Sequence, residues 1–397
     1  MPVAVFHPAQ ALRFTLANIA SPCISVCRMD PASGLCEGCL RTIDEIASWG
    51  SLSDASRLAV FEAINARRKP PTTSKQAPAA DVRLLCDASS HPDWPNQLRF
   101  IQRDWLSCNS VLIFDDQQGA TLFDSGYIKH AQNTRDQLRQ MLEGTRLHRL
   151  INTHLHSDHC GANALLQQSF DCELLVPAAS FEAVRLWDEQ APSFQATGQR
   201  CQRFRADASI KPGDLITCGE LCWEAHAAPG HDPKSLIFFE ASRALLISAD
   251  ALWAEGFGVI FPELEGESGF EEQAAMLDLI EFLQPRWIFP GHGPAFADVD
   301  QALTIARKRL AAMHHAPAKH ALHALKVLLK FLMLDLEWAD RAALEKHLAG
   351  ATLLDACAKQ MGMAANDALH GAIDELIAQG ALRCEGTRLF NDDHRRT

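Results

Sequence analysis

Apolar and polar positions alternate along this chain in three different rhythms. From about Val82 to Ala312, short apolar runs recur between turn residues: "SVLIFDD", "ATLFDSG", "HRLINTH", "CELLVP", "LCWEAHAA", "SLIFFEA", "ALLISAD" and "RWIFPGHG". Apolar runs of this length bounded by Gly, Asp or Pro predict buried strands, and helical stretches lie between several of them. Several runs end in a cluster of polar residues, at the strand ends where α/β architectures build their sites. The span 82–312 therefore predicts one large α/β domain.

Beyond Pro317 the rhythm turns helical, with "AKHALHALKVLLKFLML", "ADRAALEKHLAG", "TLLDACAKQMG" and "AANDALHGAIDELIAQG", and then "ALRCEGTRLF" predicts a β-hairpin. Helices followed by a hairpin suggest a winged-helix-like segment over residues 318–391. Before the α/β region, "RTIDEIASW" and "SDASRLAVFEAINARR" predict two short helices, the second starting at a Ser53 or Asp54 cap. "KPPTTSKQAPAAD", residues 69–81, has no apolar period and reads as a linker. It separates a small domain at 20–68 from the rest.

Composition narrows the classes. With 397 residues, 47% hydrophobic and 22% charged, the chain is that of a water-soluble globular protein of two or three domains. The most apolar helical run is interrupted by Lys326 and Lys330, so no membrane span is expected. A formal charge of −12 disfavours a general nucleic-acid coat. The tail is no exception, since residues 318–397 hold ten Lys and Arg against eleven Asp and Glu, a net −1. It is expected to serve as a packing or homodimer-forming module. The first twenty residues lack the pattern of a secretory signal, and 13 cysteines without a disulfide-like spacing fit a reducing compartment, the cytoplasm.

The densest chemistry lies in "INTHLHSDHCGAN", residues 151–163. Imidazoles crowded this way repel one another when protonated, but neutral ones can share metal ions. His154 and His156, two apart on an extended segment, can face one ion, and a turn at Asp158 and His159 would aim both at a second. Two ions need further donors. His231 in "APGHDP", Asp250 at the end of "LLISAD" and His292 in "WIFPGHG" each follow an apolar run. Oxygen and nitrogen donors suit zinc first, with iron or manganese also accepted by the same set.

These residues, with Asp124 in "LFDSG", resemble the ordered motifs of the metallo-β-lactamase superfamily over roughly residues 82–312. The resemblance implies a four-layer αβ/βα sandwich with a dinuclear site at the edge of two facing sheets. It implies that His154, His156 and His231 hold one ion, that Asp158, His159 and His292 hold the other, and that Asp250 bridges them. Asp124 would orient the loop from behind. The expected chemistry is attack on a carbonyl or phosphoryl centre by a metal-bridging hydroxide, with Asp158 helping to orient it and no Ser-His-Asp triad.

The substrate is less determined, because this fold hosts many reactions. Asp250 in place of a cysteine is unlike the dizinc β-lactamases that use a cysteine there, and the complete set is similar to glyoxalase-II-type hydrolases. Pro294 after "PGHG" departs from the acidic and aromatic continuation usual in glyoxalase II, and the full donor set departs from the mono-iron persulfide dioxygenases. The expected activity is zinc-dependent hydrolysis of an ester, thioester, lactone or amide of a small molecule. A metal-dependent endoribonuclease or phosphodiesterase, suggested by the tail, and a non-catalytic metal-binding regulatory protein are the alternatives. Trp253, Phe257 and Phe261, within a loop at 251–267, are candidates for an apolar wall, and Lys234 for contact with a substrate carboxylate; core packing and simple solvation are the competing roles.

Cys23, Cys27, Cys36 and Cys39 have the count and compactness of a four-thiolate site for zinc or an iron–sulfur cluster. This segment resembles a small bacterial domain family of unknown function with the same cysteine pattern, which implies a bacterial source. A zinc knuckle that binds a protein partner is the favoured role.

Overall fold

The computed structural model describes residues 29, 33–36, 40–67, 87–115, 119–187, 199–349 and 351–392. The chain divides into two compact units, Met1–Val82 and Arg83–Thr397.

In the first unit, the Thr42 hydroxyl accepts from Glu45 N at 3.2 Å while the Glu45 carboxylate accepts from Thr42 N at 2.8 Å. This reciprocal cap satisfies amide donors that the start of a helix leaves unpaired, and it opens the helix Ile43–Ser48. The second helix, Asp54–Arg67, begins after Ser53, whose hydroxyl accepts from Ser56 N. Arg67 at its end donates to both Glu45 oxygens, at 2.6 and 2.8 Å, and so ties the two helices together. That hydrogen bond from Arg67 keeps the Glu45 carboxyl below its ordinary pKa. Cys36 is buried, whereas Cys23, Cys27 and Cys39 lie outside the described residues.

The second unit is built on two sheets. The larger has the order β1 (Asp87–Ser89), β2 (Leu98–Gln102), β3 (Ser110–Asp115), β4 (Gly119–Phe123), β5 (Leu147–Ile151), β6 (Glu173–Pro177), β7 (Ala208–Ile210). It is antiparallel from β1 to β4 and parallel from β4 to β7. The smaller runs β12 (Trp287–Pro290), β11 (Leu245–Ala249), β10 (Leu236–Glu240), β9 (Leu221–Ala227), β8 (Leu215–Cys218). There only the β11–β12 pair is parallel.

The two-residue period of a strand assigns each side chain to a layer. Val111 and Ile113 of β3, Leu236 and Phe238 of β10, and Leu245 and Ile247 of β11 meet in one cluster between the sheets. Their alternates face outward. Leu112 packs with Leu138, Leu142 and Leu166 from the helices Ala131–Leu142 and Asn163–Phe170. Ile237 and Leu246 pack with Leu277, Ile280, Ala306 and Leu310 from the helices Phe270–Leu283 and Val299–His315. Helices, sheet, sheet and helices therefore stack as the four-layer sandwich that the family resemblance implied. All eight apolar runs singled out in the sequence are strands. Four short strands, β1, β2, β7 and β8, carry no comparable run.

Helices Pro317–Leu336, Arg341–Leu348, Thr352–Met361 and Ala365–Ala378 follow. They pack around their own apolar cluster beside an antiparallel sheet ordered β13 (Trp338–Asp340), β15 (Arg388–Asn391), β14 (Leu382–Glu385). Strand β13 adds a third member to the predicted hairpin. Val259 and Leu264 belong to this same cluster, which seats the helices against residues 251–267; within that span, expected as a loop, Phe261–Glu265 is a short helix with Pro262 in its first turn. The end of Pro317–Leu336 is bound to the segment after β4. Asp335 accepts from the Tyr127 hydroxyl at 2.9 Å and from Arg200 at 2.7 Å, and Lys129 donates to the carbonyls of Leu334 and Asp335.

No helix among the described residues is long and apolar enough to cross a membrane. Among the described residues, Cys108, Cys160, Cys172, Cys201, Cys218, Cys222, Cys357 and Cys384 are free thiols. Burial, then the neighbouring Asp335 carboxylate, pushes the Tyr127 phenol well above the usual value of about 10. Folding therefore favours the neutral phenol, and this contribution to stability is present below about pH 10 and fades as the pH rises beyond it. Tyr127 is the chain's only tyrosine. Absorbance at 295 nm is expected to stay flat through about pH 11 in the folded protein and to titrate near about pH 10 in urea.

Candidate metal centre

Strand direction explains how distant residues meet. Because β9, β11 and β12 run the same way, their C-terminal ends share one edge of the smaller sheet, and His231, Asp250 and His292 lie just beyond them. In the larger sheet β4 and β5 are parallel, so Asp124 and the segment from Asn152 to His159 share an edge as well. Asn109 joins the two edges, donating from Nδ2 to the carbonyls of Pro290 (2.9 Å) and Gly293 (2.7 Å). Nothing in its sequence context signals that role.

After β5 the chain remains extended through His154 and His156, and then Ser157–Cys160 forms a single helical turn. A plain turn was the expectation for Asp158 and His159. A helical turn serves the same end, because it sets neighbouring side chains at an angle to one another while satisfying its own amides.

All seven predicted donors gather at one place. The donor atoms of His154, His156 and His231 form one group, and those of Asp158, His159, Asp250 and His292 a second, each within 4.8 Å internally. His156 Nδ1 lies 3.1 Å from His154 Nε2 and 2.8 Å from His231 Nε2. Asp158 Oδ2 is 3.0 Å from His292 Nε2 and 3.7 Å from His159 Nε2. Asp250 Oδ2 stands between the groups, 3.2 Å from His231 Nε2 and 3.4 Å from His159 Nε2.

These spacings test whether cations fit. Donors bound tetrahedrally at about 2.0–2.1 Å from one ion sit about 3.4 Å apart, in the middle of the observed spread. His159 Nε2 is buried without a hydrogen-bond partner, a cost that a ligated cation removes. Burial pushes His156 and His231 down to about 4 and His154 well below its ordinary value, so their nitrogens are unprotonated at neutral pH. Burial also opposes charge on Asp250, yet His159 and His292 hold its carboxyl well below the usual range. Neutral imidazoles around ionised carboxylates are the donor chemistry of a divalent transition metal.

The rear of the site fixes ring orientation. Asp124, at φ 57° just past β4, accepts from Thr153 N (2.9 Å), Thr153 Oγ1 (2.7 Å) and His159 Nδ1 (2.8 Å). Thr153 Oγ1 in turn lies 3.0 Å from His154 Nδ1, and His231 Nδ1 donates to the Val259 carbonyl at 2.5 Å. Each of these contacts leaves the opposite nitrogen, Nε2, facing the cluster. Gly291 lets the backbone approach Asp250, since a Cβ there would fall 2.3 Å from Asp250 Oδ1. Cys108 also reaches His159 and Asp124 from beneath, but burial pushes its thiol up to about 11 and keeps it protonated.

The cluster opens into a cavity of about 570 Å³, within the size range of small-molecule sites. Trp253, Phe257 and Phe261 all line it, as the sequence suggested for an apolar wall, and Phe257 is also fully buried. Trp105, unnoticed in the sequence, stacks flat on His292 with ring centres 5.2 Å apart, and Trp253 meets the same ring edge-on at 5.3 Å. Lys234 is not among the lining residues. The cations there are Arg309, Lys326 and Lys330, on the helices Val299–His315 and Pro317–Leu336.

Two family models match this chain, one described as a protein of unknown function (DUF1289) over residues 21–68 and the other as the metallo-beta-lactamase superfamily over residues 103–292. The chain is similar to a hydroxyacylglutathione hydrolase of Bdellovibrio bacteriovorus, 26% identical over 181 residues, which is 44% of this chain and 62% of that protein. It is likewise 26% identical over 155 residues to the mitochondrial persulfide dioxygenase ETHE1 of Homo sapiens, covering 38% of this chain and 52% of that protein. The chain thus spans between half and two thirds of the length of these curated relatives. Among solved structures it is similar to the BLEG-1 B3 metallo-beta-lactamase, with a TM-score of 0.44, 23% identity, and coverage of 52% of this chain and 96% of that one.

Replacing Asp124 by Ala removes the acceptor that orients His159 and Thr153. Metal affinity is expected to fall by about 10- to 100-fold, read by competition with a chromophoric chelator.

Proposed function

From the premise that residues 103–292 form a metallo-β-lactamase superfamily domain, we propose that this protein is a dinuclear zinc hydrolase cleaving an ester, thioester, lactone or amide of a small molecule. The observation that carries this reading is the convergence of seven donors into two adjoining groups. In it His154, His156 and His231 hold one ion, Asp158, His159 and His292 the other, and Asp250 spans both. Cations bound there supply Lewis acidity and lower the pKa of water to about 7.

The chain's own residues do the rest. Asp158, in contact with His292 at the mouth of the cluster, orients the attacking water. Trp105 and Trp253 flank His292 and exclude bulk solvent from that side. The water oxygen forms a bond to the acyl carbon, the bond to the leaving oxygen, sulfur or nitrogen breaks, and the leaving group departs with the proton that water gives up.

A small substrate is supported over a polynucleotide by the character of the cavity. Its walls are largely apolar, and its cations stand inside it and partly buried rather than along an open groove. Hydrolysis is supported over oxygen chemistry by the complete seven-donor set. In the same reading the helices and hairpin after Pro317 are a winged-helix-like packing module, and the four cysteines of the first unit hold zinc or an iron–sulfur cluster for a protein partner in a bacterial cytoplasm.

Asp250→Ala is expected to lose both cluster ions by elemental analysis and to lose turnover on a panel of thioesters and lactones. Single-stranded RNA is expected to remain uncut by the wild-type protein, and RNA cleavage without thioester or lactone turnover would transfer the assignment to a nuclease.

A further inference from the structure

In a chain with a formal charge of −12, a half-buried guanidinium facing no carboxylate is an anomaly. Arg309 is such a group. It projects from the helix Val299–His315 into the cavity, and among the described residues no carboxylate lies within ion-pair distance of it. Among the described residues its one hydrogen bond runs from Nη2 to His323 Nε2, at 2.9 Å. Burial, then the neighbouring Arg309, pushes His323 down to about 4, so it accepts as a neutral ring and adds no charge. The guanidinium lies 5.2 Å from the centre of the Phe257 ring, and a Cβ on Gly256 would fall 2.5 Å from Nη1. The fork is therefore held in place, while among the described residues its remaining N–H groups have no protein acceptor.

The other cations of the cavity are already engaged. Lys326 faces Glu375 at 2.9 Å, and Lys330 donates to the Ala381 carbonyl and to Asn391. The backbone between Gly256 and Gly258 bounds the distance from Arg309 Nη1 to His231 Nδ1 at about 15 Å. A Cβ on Gly258 would fall 2.5 Å from His231 Nδ1, as one on Gly256 would from Arg309 Nη1. These two glycines are separated by a backbone span of at most about 7 Å. Phe261, Val327, Phe331 and Leu334 give the same cavity its apolar lining.

We propose that Arg309 forms a carboxylate-binding subsite, and that the substrate is an apolar acyl compound bearing a carboxylate a few carbons from the bond that is cleaved. The inference rests on the hydrolase reading and names its substrate class. A single planar fork suits a carboxylate, which it can meet with two parallel hydrogen bonds. A phosphodiester chain would need several exposed cations. The helices beyond the metal-binding strands thereby select the substrate, while the strand ends carry the chemistry.

The test compares two thioesters of the same thiol, one of suberic acid with its far carboxylate free and one of its monomethyl ester. Hydrogen bonds to a charged group contribute about 1.5–3 kcal/mol, so the free acid is expected to be preferred about 10- to 100-fold in kcat/KM. In Arg309→Gln the ratio is expected to fall to about one, and Arg309→Lys, which keeps the charge and the stem, to retain part of it. A ratio near one in the wild type, or one unchanged in Arg309→Gln, overturns the subsite. If neither thioester is turned over, the hydrolase reading fails for this class and calorimetry of suberate itself decides the subsite. Binding to the metal-loaded full chain that weakens at least about tenfold in Arg309→Gln supports it, while absent or equal binding overturns it. The wild-type ratio and the wild-type titration require no variant to fold.

Discussion

Five imidazoles and three carboxylates held within a few ångströms of one another, in a buried corner, form an arrangement that only positive charge can stabilise. Without it, burial opposes a charge on His159, yet Asp250, Asp124 and Asp158 hold it well above its ordinary pKa. A proton on one ring is a partial answer, because it leaves the nitrogens of His154, His156 and His231 facing one another at 2.8–3.1 Å in pairs that can share few hydrogens. Divalent cations answer both needs at once, neutralising the carboxylates and giving every nitrogen lone pair a partner.

Much of the surrounding fold serves that arrangement. The parallel pairs β4–β5 and β11–β12 put the residues that follow them at common edges, and the apolar contact between the sheets brings those edges together. Asp124 and Thr153 then set ring orientation to a precision that packing alone would not supply. Gly291 allows the chain to pass against the Asp250 carboxylate. Each device is local, yet each has a function only because the two sheets meet.

The helices after Pro317 change an exposed cluster into a cavity. Their attachment is polar at one end, where Asp335 gathers Tyr127 and Arg200, and apolar at the other, where Val259 and Leu264 join the helical core. Tyr127 also meets Phe331 edge-on, 5.0 Å between ring centres. The same helix that lines the cavity is thus joined to the segment just beyond Asp124, so cavity-lining residues and the rear of the metal centre share one framework.

Strand periodicity, the helical tail and the identity of the seven donors were all legible in the residues, because apolar runs and metal-binding side chains carry their meaning locally. His154, His156, Asp158 and His159 announced themselves by crowding, and His231, Asp250 and His292 by their position after apolar runs. Short strands such as β7 and β8 did not, since three or four residues carry too little periodicity to distinguish from a loop. Nor did Trp105, Asn109 or Arg309. An exposed tryptophan, a buried asparagine and an unpaired arginine look like ordinary residues until their neighbours are known, and those neighbours lie far away along the chain. The sequence by itself determined which atoms were available to bind cations. The tertiary structure alone decided which cations of the chain lost their counter-charges and which rings came to lie on which, because burial and pairing belong to contacts across space.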